Sequence, residues 1–299
     1  MSTPVATDLA TRVRVASTLL FVPADRPERF TKAAAANPGL VVLDLEDAVA
    51  PAAKATARAN AVAWIEAGHD CAVRVNAAGT DWHADDLAAL APLRCAIMLP
   101  KADIEVLDGV VATITEARAS SPYRPKAGGS RPLLIALVET ASGVLHSAAI
   151  AARAGVDRLA VGTFDLAAEL GVDPVDREAL AGTRQALVLA SAAAGLPGPI
   201  DGVTGIVDDA DLVAGDARYG KRLGFTGKLC IHPRQLDPVA TAFRPTEAER
   251  AWARKIVAAV TDSSGVAVVD GAMVDKPVLD RARRILALLD TTTDSEEQP

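Results

Sequence analysis

An alternation of two kinds of segment constrains this chain more than any other feature. Eight short apolar runs, at residues 16–22, 40–45, 71–75, 95–99, 133–138, 158–161, 199–203 and 228–231, are separated by longer stretches rich in Ala and Leu. Continuous apolar runs suit strands buried on both faces, and the longer stretches supply the helical crossovers that parallel strands need. Eight strand–helix units is the number that closes a (β/α)8 TIM barrel. The run at 199–203 is crowded by Pro and Gly. A doubly wound open sheet shares the alternation, but it carries a glycine-rich phosphate loop after its first strand. Here the first run is followed by Pro23-Ala24-Asp25-Arg26-Pro27, which contains no glycine.

Other punctuation fills in the plan. The stretch 51–67 reads as a helix opened by Pro51, and 142–154 as one that stops near Gly155. Residues 120–132 are rich in Pro, Gly and Ser and read as a surface loop. After residue 231 the pattern changes to a helix at 246–260, a short Gly-bounded apolar stretch at 265–273 and a final helix at 276–289. The expected organisation is a barrel over 1–245, a helical extension over 246–290, and a polar, disordered tail over 291–299.

Composition narrows the partners. With 299 residues, 50% hydrophobic and 23% charged, the chain has the make-up of a soluble globular protein. Aromatic residues are only 3%, so the core is expected to be built from Ala, Val, Leu and Ile. A net charge of −7 without a basic tract argues against nucleic acid, and an anionic substrate must then meet locally placed cations. Cys71, Cys95 and Cys230 each lie in an apolar run with no CxxC spacing, which reads as buried thiols in a reducing cytoplasm. Residues 1–15 hold no apolar leader segment, and no stretch approaches the ~20 apolar residues of a membrane span.

Barrel enzymes carry their chemistry at the C-terminal ends of the strands. The polar residues that end these runs are Asp44, Glu46 and Asp47 after the second, Arg74 and Asn76 at the third, Lys101 after the fourth, Glu139 after the fifth, Asp165 after the sixth and His232 after the eighth. Glu139 and Asp165 follow neighbouring strands and are either two surface carboxylates or a pair that shares a divalent cation; oxygen ligands favour Mg2+. Arg74 sits inside an apolar run, where it either neutralises Glu46 or Asp47 or binds a carboxylate or enolate oxygen of a substrate. Lys101 reads as a structural cation beside Glu46, with a Schiff-base lysine as the alternative. Arg26 and Lys32 either grip phosphate or lie on a solvated face.

The segments STLLFVPADRPERFTKAAAA, VVLDLEDAVAPAAKATAR, VRVN, IMLPKAD, LIALVETASGV, LAVGTFDLAAELGV, LGFTGKLCIHPRQL and DGAMVDKPVLDRARRIL occur in this order from residue 17 to residue 289. Together they resemble the citrate lyase β-subunit-like family, which includes malyl-CoA and citramalyl-CoA lyases. The resemblance implies a (β/α)8 barrel with a C-terminal extension, assembled as a homotrimer or hexamer. It implies Mg2+ on Glu139 and Asp165, substrate contact by Arg74, and thioester contact by Phe21, Arg26 and Lys32. Ile231 and His232 match a substrate-contacting pair, and Asp275 matches an aspartate delivered from a neighbouring subunit; its other reading is the N-cap of the last helix. The implied reaction is Mg2+-dependent cleavage or condensation of a β-hydroxyacyl-CoA, giving acetyl-CoA or propionyl-CoA and a 2-keto acid, with Arg74 stabilising the enolate and Asp275 or Glu46 moving protons. A metal-dependent pyruvate aldolase without CoA and a non-catalytic metabolite-binding relative are the alternatives.

Overall fold

The computed structural model describes residues 8–120, 132–261 and 267–293. Residues 1–7, 121–131, 262–266 and 294–299 lie outside the described residues, and with them fall most of the expected loop at 120–132, the start of the expected apolar stretch at 265–273 and all but the first three residues of the expected tail at 291–299. Eight parallel strands close into a barrel: β1 (Thr18–Pro23), β2 (Leu40–Asp44), β3 (Ala72–Arg74), β4 (Ala96–Leu99), β5 (Leu134–Val138), β6 (Val156–Val161), β7 (Ile200–Asp201) and β8 (Gly227–Cys230). Each pairs with its sequence neighbour, and β8 closes on β1 in the register Thr18↔Lys228, Leu19↔Leu229, Leu20↔Cys230. The (β/α)8 expectation is met, and every one of the eight apolar runs supplies a strand.

Alternate strand residues fill the interior, among them Leu19, Leu40, Val42, Ala72, Met98, Ile135, Leu137, Ala160, Ile200 and Leu229. The barrel is thus packed with aliphatic side chains and is no pore. β7 is only two residues long, because Pro199 has no N–H for the ladder and Gly198 precedes it. Buried charge reinforces the gap. Asp201 accepts from Arg184 Nε at 2.9 Å and from its neighbour's N–H at 2.9 Å, and Lys228 Nζ stands 3.7 Å from its other oxygen.

The barrel's N-terminal end is closed by a helix, Leu9–Val15, in a stretch that composition alone marks only as mixed and polar. Asp8 caps it by accepting from Thr11 N–H at 2.9 Å, and Leu9 and Val13, four residues apart, face the core. Beneath it lies Arg158, fully buried, whose guanidinium donates to Val13 O (3.2 Å), Ala16 O (2.6 Å), Gly198 O (3.1 Å) and Thr226 Oγ1 (2.9 Å). Burial pulls its pKa down, and all four of these acceptors are neutral. Elsewhere, the stretch 51–67 is a 3-10 turn, Pro51–Ala53, leading into the helix Lys54–Glu66. The stretch 142–154 is two short helices, Ala141–Leu145 and Ser147–Ala151, broken at His146.

Residues 243–299 form a second compact unit. It begins with the helix Glu247–Thr261, opened by a reciprocal cap in which Thr246 Oγ1 accepts from Glu249 N–H (3.2 Å) and Glu249 Oε2 accepts from Thr246 N–H (2.7 Å). The extension is not wholly helical: β9 (Ala267–Val269) and β10 (Ala272–Val274) form an antiparallel hairpin. Its turn is Asp270-Gly271, both with positive φ (51° and 78°), the conformation a two-residue hairpin loop needs. The helix Lys276–Thr293 follows, running past the expected end at 289. Ala253, Ile256, Val269, Val274 and Ala282 give this unit a core of its own.

Candidate active site

Strand register builds the site. Asp44 ends β2, Arg74 ends β3, and the two are direct register partners. Arg74 Nε reaches Asp44 Oδ1 at 2.7 Å and Nη2 reaches Oδ2 at 2.6 Å, a two-pronged fit of guanidinium to carboxylate. Its Nη1 lies 3.2 Å from both Glu46 Oε2 and Asp47 Oδ2, and the guanidinium stacks 4.8 Å from the centre of the Phe21 ring. Burial works against the guanidinium's charge, but hydrogen bonding and charge from Asp44, with Glu46 and Asp47, outweigh it and raise its pKa. The costly arginine in an apolar strand is therefore held by three carboxylates.

Burial pushes the Glu46 carboxyl up to about 8, against the pull of Arg74. Its Oε2 is buried without a hydrogen bond among the described residues. The turn that carries it is pinned by buried Lys54, whose Nζ donates to Leu45 O (2.7 Å) and Glu46 O (2.6 Å).

Across the barrel, the register Val138↔Val161 sets the next residues, Glu139 and Gly162, side by side. A Cβ on Gly162 would stand 2.3 Å from Glu139 Oε2, so the glycine is what leaves room for that oxygen. Glu139 Oε1 accepts from the Lys101 N–H at 2.9 Å, with Lys101 in the left-handed region at φ 47°. Lys101 does not stand beside Glu46 as expected: its backbone N–H is tied to Glu139 at the end of β5, and its Nζ is 3.9 Å from Asp165 Oδ2. Asp165 lies in the first turn of the helix Thr163–Leu170 and is about half exposed. Burial pushes the Glu139 carboxyl up to about 7; the Lys101 N–H opposes this and the Asp165 charge adds to it.

A buried carboxylate that repels a second one nearby is a donor set a divalent cation relieves. Among the described residues no three His, Cys, Asp or Glu side chains gather as a metal-binding group. Glu139 and Asp165 are two oxygen donors, a set that suits an ion that keeps several positions for water and substrate, as Mg2+ does. The pair fits that ion.

Phe21, Arg74, Glu139, Asp165 and Ile231 line one cavity of about 400 Å³, with Leu137, Val161, Phe164, Val203 and Leu229 as its apolar walls. The strand-end pattern points to Arg74, Glu139 and Asp165, the family resemblance adds Phe21 and Ile231, and all five line this one cavity. Glu46 touches Arg74 behind the wall. Arg26 and Lys32 are exposed on the segment after β1 and do not line the cavity; Arg26 Nε is 3.9 Å from Asp25. His232 is turned to its own chain, Nδ1 accepting from Arg234 N–H at 3.1 Å. Asp275 belongs to the second unit, where it is exposed and caps the last helix by accepting from Val278 N–H at 3.2 Å. Asp44, Gly162 and Thr163 were not singled out from the sequence as site residues. Asp44 ended its run visibly, but nothing in one sequence marks a glycine as the gap beside a carboxylate.

Comparison with known proteins bears on this geometry. The profile of the HpcH/HpaI aldolase/citrate lyase family matches residues 17–233. A citrate lyase subunit beta-like protein of Mycobacterium tuberculosis is 38% identical over 275 residues, covering 89% of this chain and 93% of the relative. A (3S)-malyl-CoA thioesterase of Cereibacter sphaeroides is 34% identical, covering 90% and 93%. An L-malyl-CoA/beta-methylmalyl-CoA lyase of the same species is 32% identical, covering 89% and 92%. Among solved structures, the CitE protein of Mycobacterium tuberculosis in complex with magnesium, acetoacetate and coenzyme A superposes with a TM-score of 0.75 at 36% identity, covering 93% of this chain and 99% of that one.

Proposed function

This chain belongs to the HpcH/HpaI aldolase/citrate lyase family and is a carbon–carbon lyase, and from that premise we propose that it cleaves or forms the Cα–Cβ bond of a β-hydroxyacyl-CoA, with Mg2+ as cofactor. The products of cleavage are acetyl-CoA or propionyl-CoA and a 2-keto acid. The observation that carries the reading is the convergence of Glu139, Asp165 and Arg74 on one cavity with apolar walls. Solved CitE structures of Mycobacterium tuberculosis that hold magnesium with acetoacetate and coenzyme A, and magnesium with pyruvate, a 2-keto acid, support the cofactor and the ligand class.

Glu139 and Asp165 would hold the metal, which would supply Lewis acidity to the substrate oxygens. Arg74 presents a fixed guanidinium to the oxygen on which charge develops at the thioester as the bond breaks. It is preorganised by Asp44 and the Phe21 ring, so little reorganisation accompanies that charge. Glu46, with its carboxyl raised to about 8, can carry a proton at neutral pH and sits against Arg74. Asp275, delivered by the second unit of a neighbouring subunit in a homotrimer or hexamer, exchanges a proton with the substrate. Phe21, Arg26 and Lys32 face the thioester's CoA moiety, with the two cations meeting its phosphates in an otherwise acidic protein. Ile231 and His232 contact the substrate at the end of β8.

Paired variants test this. Glu139→Gln and Asp165→Asn are expected to lose Mg2+ binding and turnover while remaining folded. Arg26→Ala with Lys32→Ala is expected to raise KM for the thioester and to leave 2-keto acid affinity unchanged. Equal loss of both affinities would point instead to misfolding or a shared site, whereas a double variant with unchanged kinetics would favour an aldolase that needs no thioester.

A further inference from the structure

The ladder between β7 and β8 consists of Ile200↔Gly227 and Asp201↔Lys228 and then stops. The apolar side of the cavity, however, is built beyond that point, from Val203 on one segment and Ile231 on the other. Lys228 Nζ donates to Gly202 O at 2.6 Å, and beyond that bond a second buried side chain links the two segments. Gln235, 2% exposed, accepts from the Ile231 N–H at 2.8 Å through Oε1 and donates through Nε2 to Thr204 O at 2.8 Å and Ile206 O at 3.0 Å. A primary amide is the group that both accepts and donates twice, so glutamine supplies what a third pair of ladder residues would. Its own backbone N–H is fixed to His232 O at 3.0 Å, so the side chain starts from a rigid turn. The 203–206 segment is in turn packed against the site: a Cβ on Gly205 would meet Phe164 Cζ at 3.3 Å, and Phe164 is another cavity wall.

We propose that Gln235 is a positioning residue that fixes the spacing of the Val203 and Ile231 walls and so shapes the apolar side of the cavity that receives the substrate's carbon chain. The kinetic part of its test rests on the lyase reading above, and the exchange part does not. Gln235→Glu keeps an acceptor for Ile231 but sets a carboxylate against two carbonyls; Gln235→Met removes all three bonds. Amide hydrogen exchange is measured over 203–206 and 229–232 in the full chain. The expected result is faster exchange at 203–206 in both variants, with Ile231 protected in Gln235→Glu and exposed in Gln235→Met. In steady-state assays with Mg2+, KM for the acyl-CoA is expected to rise about tenfold, with kcat within about threefold of wild type. Unchanged exchange in both segments overturns the proposal. So does a fall in Tm with KM and kcat both unaltered, because the residue is then structural only. If wild type turns over no thioester, the lyase reading fails while the exchange pattern still decides the role of Gln235.

Discussion

Replacing Arg74 with methionine strands two buried acidic groups at once. Asp44 and Glu46 are 2% and 8% exposed, whereas Asp47 is largely in solvent and is little affected. Removing one partner of a buried ion pair costs ~3–5 kcal/mol, chiefly because the other charge stays buried. Asp44 keeps N–H donors from Glu46 (2.9 Å) and Ala48 (3.3 Å), which places the expected loss near the lower end, about 3 kcal/mol at pH 8. The pH dependence has a definite sign. Already in wild type, Glu46 has a folded-state pKa raised from 4.5 to about 8, so the folded protein binds the extra proton. The stability this group confers is complete below 4.5 and is lost as pH rises through about 8, with a slope of up to ~1.4 kcal/mol per pH unit. Without Arg74 the Glu46 carboxyl loses the charge that pulls it down and rises further, so the variant loses more on passing from pH 5 to pH 8 than wild type does. Urea unfolding of metal-free protein at the two pH values measures this. A variant as stable as wild type at pH 8, or a deficit no smaller at pH 5, refutes the reasoning.

Gly162→Ala is expected to displace Glu139, since the new Cβ meets Oε2 at 2.3 Å and Glu139 Cβ at 2.5 Å; calorimetric titration should show lost Mg2+ affinity, and thermal melts a stability cost of ~1–3 kcal/mol. Burial raises the thiol pKa of all three cysteines, to about 12 for Cys95 and Cys230, so a thiol reagent at pH 8 should leave the native chain unlabelled and modify all three in urea. Asp275→Asn should keep Tm, because Asn caps a helix as well as Asp, yet cut kcat; co-expression with Glu139→Gln should restore part of the activity, and verified mixed oligomers without recovery would show that Asp275 does not act across the interface.

The barrel was legible because a parallel sheet buries both faces of each strand and writes eight apolar runs into the chain. β7 was the least regular of them, and it is the strand with the fewest residues. Glu139, Asp165 and Arg74 could be read from their places at strand ends. Lys101 stands near Asp165 and not Glu46, and nothing in the sequence marks the left-handed φ that it adopts. The hairpin in the extension was signalled by Asp270-Gly271 but masked by the helices on either side. Arg158, Gly162 and Gln235 could not be found from spacing, since their partners lie as far away as Val13, Glu139 and Thr204.

Product analysis in a single reaction tests the central claim most directly. Malyl-CoA, citramalyl-CoA, citryl-CoA and β-methylmalyl-CoA are each incubated with the enzyme after exhaustive chelation and again after Mg2+ is added back, while 2-keto acid, acyl-CoA and free thiol are all quantified. The account predicts that at least one thioester yields 2-keto acid and acyl-CoA in equal amounts, only with Mg2+ and without free thiol. Turnover that persists without metal, or free thiol released with no 2-keto acid, would contradict it.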